Sequence, residues 1–131
     1  MGIIDSKNYV NKAEVVIKEL IAERNRDPRK NKILSTSQIR KQLAMTAELF
    51  AQAEKETSDK ISEELLDRIE YLRVQFVYQA GREPTVKNFI EKAEILEILK
   101  TIKDNKKDFL NYCRYMEALV AYRKYYEPKD D

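Results

Sequence analysis

Two glycines and three prolines are all that 131 residues contain, and this scarcity constrains the fold more than any other feature. A sheet of short strands needs frequent tight turns, and such turns draw on glycine and proline. A chain so poor in both must run in long helices. The apolar share, 43%, suffices for a buried core, so the 37% of charged residues belongs to a folded surface rather than to a disordered chain. At this length one core is expected. The reading is all-α, a compact bundle of about five helices forming one domain over residues 1–131.

Hydrophobic periodicity places the helices. The first runs from about Tyr9 to Arg24, with Val10, Ala13, Ile17, Leu20 and Ile21 on one side. The second runs from about Thr36 to Glu56, after the cap hydroxyls of Ser35, Thr36 and Ser37, with Ile39, Leu43, Ala47 and Phe50 as its stripe. The third starts near Ser62, carries Leu65, Ile69, Leu72 and Phe76 inward, and stops at Gly81 in the left-handed conformation. Pro84 and Thr85 open the fourth, whose inward set is Val86, Phe89, Ile90, Ala93 and Leu96. Asp104 or Asn105 caps the fifth, with Phe109, Cys113, Met116 and Val120 inward. The glycines and prolines all lie outside the segments' interiors.

Composition also excludes chemistry. Without histidine there is no Ser-His-Asp or Cys-His catalysis and no imidazole metal site. Acid pairs at helical spacing, such as Glu63 with Asp67 or Glu91 with Glu94, lack the Glu-x-x-His companion of helical di-metal sites and read as surface ion-pair partners. Cys113, the one cysteine, points into the stripe of its helix as a small core residue. Neither glycine sits in a phosphate-cradling loop. The expectation is a non-enzyme with no catalytic residue, metal, cofactor or small-molecule substrate. Asp5 and Lys7 without a following apolar run speak against a signal peptide, and no stretch is apolar enough for a membrane span. One thiol suits a reducing compartment, so a cytoplasmic location is expected.

Net charge is only +2, from 25 basic and 23 acidic residues, so any polyanion-binding surface must be a segregated one. The connection over residues 24–35 is the most polar. Within it Arg24 to Lys32 holds five basic residues in nine against the single acid Asp27, either as a solvated loop or as a flexible cationic arm. Helical projection puts Arg73 and Arg123 inside apolar arcs, where each needs a partner, either an internal carboxylate, with Glu117 and Glu97 as candidates, or an anion. Arg40 falls at the edge of its stripe beside Ala44, Ala47 and Ala51, exposed over small residues where a phosphate can come close. Eight of the twelve aromatics are tyrosine, and five of these lie between Tyr112 and Tyr126. They fit helix-edge packing, base stacking or a subunit contact. Ile95, Ile98 and Leu99 project away from the fourth stripe, so that helix is either central or covered by a partner.

Three blocks, ILSTSQIRKQL from Ile33, DRIEYLRVQFVYQAGREPTVKNFIEKA from Asp67 and YMEALVAYRKYY from Tyr115, resemble the small subunit of the type III-A CRISPR–Cas effector, the Csm complex. The likeness covers the chain from about Ile33 onward and is most specific in YLRVQFVYQAGRE followed by FIEKA. It implies a non-catalytic helical subunit, present in several copies, that bridges the filament and lines the groove of the guide–target RNA duplex in antiviral defence. The implied partners are target RNA and guide RNA, the repeating backbone subunit, the large subunit and further copies of itself. The nuclease aspartate would belong to the backbone subunit and cyclic-oligoadenylate synthesis to the large subunit.

A subunit that serves any target must hold RNA by phosphate and sugar, because base pairing already reads the sequence. The expected contacts are Lys32, Ser37, Arg40 and Lys41 around the start of the second helix, with its free N–H groups, then Arg68, Arg73, Gln75, Arg82 and Lys87. Two rival readings stay open. One is a helical protein–protein adaptor without nucleic-acid contact. The other is a helix-turn-helix-like DNA-binding protein, in which AGREPT supplies the turn.

Overall fold

The computed structural model describes residues 3–127, and among them lie six helices and no strand. They are α1 (Tyr9–Arg26), α2 (Thr36–Lys55), α3 (Glu63–Arg82), α4 (Pro84–Lys92), α5 (Ile95–Thr101) and α6 (Lys106–Tyr126). A single antiparallel bridge, Lys60 to Asn105, ties the α2–α3 connection to the start of α6. Gly2 and Pro128 lie outside the described residues.

α6 is the axis of the bundle, packed on α1 along one side and on α2 along the other. It is buried nearly all round, through Phe109, Tyr112, Cys113, Tyr115, Met116 and Leu119, as a central helix must be. This accounts for two of the five tyrosines of α6. Tyr112 and Tyr115 are fully buried core residues, each with its hydroxyl satisfied. Tyr115 donates to the Ala93 carbonyl at 2.9 Å, and Tyr112 shares a hydrogen bond of 3.0 Å with the Thr46 hydroxyl. Burial pushes the pKa of both phenols far above the ordinary value.

Periodicity predicts one helix from Pro84 through Leu96, and the chain departs from it. It breaks at Ala93 and Glu94, where Glu94 takes the left-handed conformation at φ 57°. The Tyr115 hydroxyl caps the freed Ala93 carbonyl, and Lys12 reaches the Glu94 carboxylate at 2.6 Å. The break re-aims α5, so that Ile95, Ile98 and Leu99 enter the core. Their apparent second face therefore has an internal cover.

Gly81 does not end its helix. α3 continues to Arg82, Gly81 has no positive φ, and Glu83, extended before Pro84, makes the break. Only Glu83 separates α3 from α4, which is not the three- or four-residue turn of a helix-turn-helix. On α2 the inward stripe is rotated from the apolar one. Ile39, Gln42, Thr46, Leu49 and Ala53 are buried, while Ala47 is exposed. A hydrogen bond to Tyr112 makes Thr46 acceptable there.

The buried arginine is Arg123, 3% exposed. Neither Glu117 nor Glu97 neutralises it, since both are exposed. Its Nε donates to the Leu34 carbonyl at 3.0 Å and its guanidinium to the Glu127 carbonyl at 3.0 Å, with the Glu127 carboxylate 3.9 Å away. Arg24 binds that carboxylate from α1 and holds it ionised below the ordinary carboxylate range. Arg73 is only partly buried and pairs with Glu70 one turn away, at 3.0 Å.

Candidate nucleic-acid interface

The start of α2 is locked to the α3–α4 corner. Ser35 caps α2 in a reciprocal box with Gln38. The Ser35 hydroxyl accepts from the Gln38 N–H at 3.0 Å, and the Gln38 carbonyl oxygen accepts from the Ser35 N–H at 2.9 Å. The Gln38 amide then donates to Glu83 at 3.0 Å and accepts from the Thr85 hydroxyl at 3.1 Å. Residues 37–41 are thereby fixed alongside residues 82–87. The Gln38 N–H near Ser37 is consumed by the cap and is not left for a phosphate.

The basic connection is shorter and more ordered than a flexible arm. α1 extends to Arg26, and the Asp27 carbonyl accepts from Lys30 and Asn31 at 3.1 and 2.8 Å. The Asn31 amide donates to the Glu23 carbonyl at 2.7 Å, and Arg24 is withdrawn into its pair with Glu127. The turn folds over the start of α4 and encloses an open depression of about 620 Å³, lined by Arg26, Lys30, Lys32, Pro84, Thr85 and Asn88 together with Glu23 and Asn31. Glu23, the acid there, is already occupied by Lys92 and by Asn88, and these hydrogen bonds hold its carboxyl below the usual range.

The expected RNA contacts fall into three groups. Lys32, Ser37, Arg40, Lys41, Arg82 and Lys87 gather around the locked end and are all exposed. Arg40 and Lys41 share the outer face of α2 with Ala44, Ala47 and Ala51, also exposed, so small side chains leave the approach open. Arg68 and Gln75 lie instead in the α2–α3 groove. There Arg68 donates to Gln52 and stands 3.7 Å from Glu48, a strut between helices. Arg73 lies in a third place, the α3–α5 groove with Leu96, Glu97 and Lys100. Its Nε is buried without a hydrogen-bond partner.

Sequence reasoning named Arg26 and Lys30 only as part of the candidate cationic arm, and did not single out Gln38 and Thr85 as the residues that build the basic end. The S-x-x-Q spacing of Ser35 and Gln38 was the available signal. Burial pushes the Cys113 thiol far above its ordinary acidity range, and no three potential metal ligands converge among the described residues. Nor is any described helix long and apolar enough to cross a membrane.

Comparison with known proteins gives the chain a family. Residues 9–129 match the family model described as Csm2 Type III-A. A Streptococcus thermophilus protein named CRISPR system Cms protein Csm2 is 50% identical over 130 residues, covering 99% of this chain and 100% of the relative. A Mycobacterium tuberculosis protein of the same name is 44% identical over 131 residues, covering 99% of each. One from Enterococcus italicus is 40% identical over 99 residues, covering 74% of this chain and 71% of the relative.

Proposed function

Because the chain belongs to the Csm2 type III-A family and is a small subunit of the type III-A CRISPR–Cas complex, we propose that it holds RNA in that complex by phosphate and sugar contacts made at its locked basic end. The observation that carries this reading is that the Gln38–Glu83 and Gln38–Thr85 hydrogen bonds hold the start of α2 against the α3–α4 corner, with the exposed Ser37, Arg40 and Lys41 following on one side of that junction in sequence, Arg82 and Lys87 flanking it on the other, and Lys32 in the adjoining turn. Flexible lysines and arginines on a fixed base suit a partner of constant backbone and varying sequence. The exposed alanines of α2 let a phosphate strand approach Arg40 and Lys41 closely. Arg68, Arg73 and Gln75 are more remote contacts, met where the strand continues along α3. The chain itself performs no catalysis in this reading. It bridges backbone subunits, and affinity grows as several copies line one RNA.

The test is a pair of measurements on the Arg40→Ala, Lys41→Ala chain. Its affinity for single-stranded RNA should fall about tenfold, as expected for two lost phosphate contacts, while its thermal midpoint stays within about 2 °C of the parent. Unchanged affinity would move the RNA path elsewhere. A large loss of stability would make these side chains structural.

A further inference from the structure

The depression of about 620 Å³ between the α1–α2 turn and the start of α4 is unbalanced in charge. Arg26, Lys30 and Lys32 line it, all three are exposed, and none enters an ion pair among the described residues. The Lys32 ammonium has only the Pro28 carbonyl, at 3.4 Å. Glu23 is the one acid of the lining, and Lys92 already neutralises it. Asp27 lies outside the lining, its carboxylate accepting from the Lys30 N–H at 3.4 Å. Three like charges around one hollow, with no counter-charge left over, focus a positive potential into it. The start of α4 has the same sign. Glu83 at its N-cap makes no side-chain bond to the first turn, and the Thr85 hydroxyl is spent on Gln38, so the positive end of the helix dipole is left uncapped.

We propose that this depression is a binding site for a phosphate monoester, carried either by a free nucleotide or by the end of an RNA strand. Charge selects the monoester. It bears about −1.5 to −2 near neutral pH, whereas an internal phosphodiester bears a single charge and gains less from three converging cations. Arg26 supplies the planar donor fork that matches phosphate oxygens. The volume falls within the range of about 300 to 1,000 Å³ usual for small-ligand sites, so a nucleoside fits beside its phosphate. Asn31 and Asn88 give their amide N–H groups to Glu23, which leaves their amide oxygens for a ligand's own donors, such as ribose hydroxyls. Lys32 is common to this site and to the proposed RNA path, while Arg26 and Lys30 belong to this site alone. The RNA-end form of the proposal rests on the RNA reading; the nucleotide form does not.

Two arms of one experiment separate the sources. In the first, isothermal titration calorimetry of the full chain compares adenosine monophosphate with its methyl ester, a diester. The monoester should bind about tenfold more tightly, and Arg26→Ala combined with Lys30→Ala should remove that preference. In the second, fluorescence anisotropy compares one oligoribonucleotide bearing a terminal phosphate with the same strand ending in a hydroxyl. The phosphorylated strand should bind about tenfold more tightly, and the same double variant should erase the advantage while leaving the hydroxyl strand within about twofold of the parent. A preference in the first arm alone assigns the site to free nucleotides, and in the second alone to RNA ends. No preference in either arm overturns the proposal, and leaves the RNA reading standing wherever the hydroxyl strand still binds. A double variant that is folded by circular dichroism yet loses the hydroxyl strand would also overturn it, by making the depression part of the diester path. Should the double variant lose its fold, Lys30→Glu alone, on the exposed turn, carries the same comparison.

Discussion

Replacing Arg123 by methionine isolates the buried polar anchor between the entry of α2 and the end of α6. Methionine keeps much of the stem volume and removes the charge and all donors. Two hydrogen bonds of 3.0 Å disappear, to the carbonyls of Leu34 and Glu127. Leu34 is 1% exposed, so its carbonyl has little access to water as a substitute. A hydrogen bond from a charged donor contributes about 1.5 to 3 kcal/mol, and a buried acceptor left empty costs about 1 to 3 kcal/mol. Allowing for overlap, Arg123→Met should cost about 3 to 5 kcal/mol, the range found when one partner of a buried charge pair is removed. For a domain of this size that lowers the thermal midpoint by about 10 to 15 °C. Arg123→Lys should fall between parent and methionine, because one ammonium cannot span both carbonyls. Urea melts followed by circular dichroism measure the loss. A cost below about 1 kcal/mol for methionine would refute the claim that this side chain ties the entry of α2 to the end of α6.

Thr46→Val leaves the fully buried Tyr112 hydroxyl without its partner and should cost about 1 to 2 kcal/mol in a denaturant melt, whereas adding Tyr112→Phe should recover part of that loss because neither group is then orphaned. The Glu127 carboxyl is held below its ordinary value of 4.5, first by the Arg24 hydrogen bond. A depressed carboxylate stabilises the fold above its unfolded pKa and loses that contribution as pH falls through the folded one. Stability should therefore decline as pH drops below 4.5, and Glu127→Gln should flatten that decline in thermal melts run from neutral pH downward.

Much of the architecture was legible because local signals agree with long-range packing. Leu65, Ile69, Leu72 and Phe76 are inward by spacing and inward in the fold. The misreadings arise where tertiary contacts override local preference. Gly81 reads as a helix stop, yet Pro84 imposes the break through the extended Glu83. The break at Glu94 has no glycine or proline to announce it; it depends on Tyr115, 22 positions from Ala93, capping that carbonyl. Thr46 enters the core only because Tyr112 meets it. The partners of Arg123 could not be guessed from helix spacing, because Leu34 is 89 positions away and the acid involved lies beyond the helix end. For the basic end, residue types were readable in the sequence, but the juxtaposition of Lys32 with Thr85 and Asn88 needed the folded turn. The same holds for Arg68 and Arg73, whose positions in two separate grooves, beside Gln52 and beside Glu70, charge alone does not give.

The central claim is that the chain grips RNA by its backbone through the end built around α2. It is tested most directly by the salt dependence of binding to two unrelated single-stranded RNAs of equal length, by fluorescence anisotropy. The expected result is equal affinities, a linear fall of log affinity with log salt, and a slope about 1.5 units shallower once Arg40 and Lys41 are both alanine. Affinity that differs strongly between the two RNAs, or a slope unchanged by the double substitution, would contradict it.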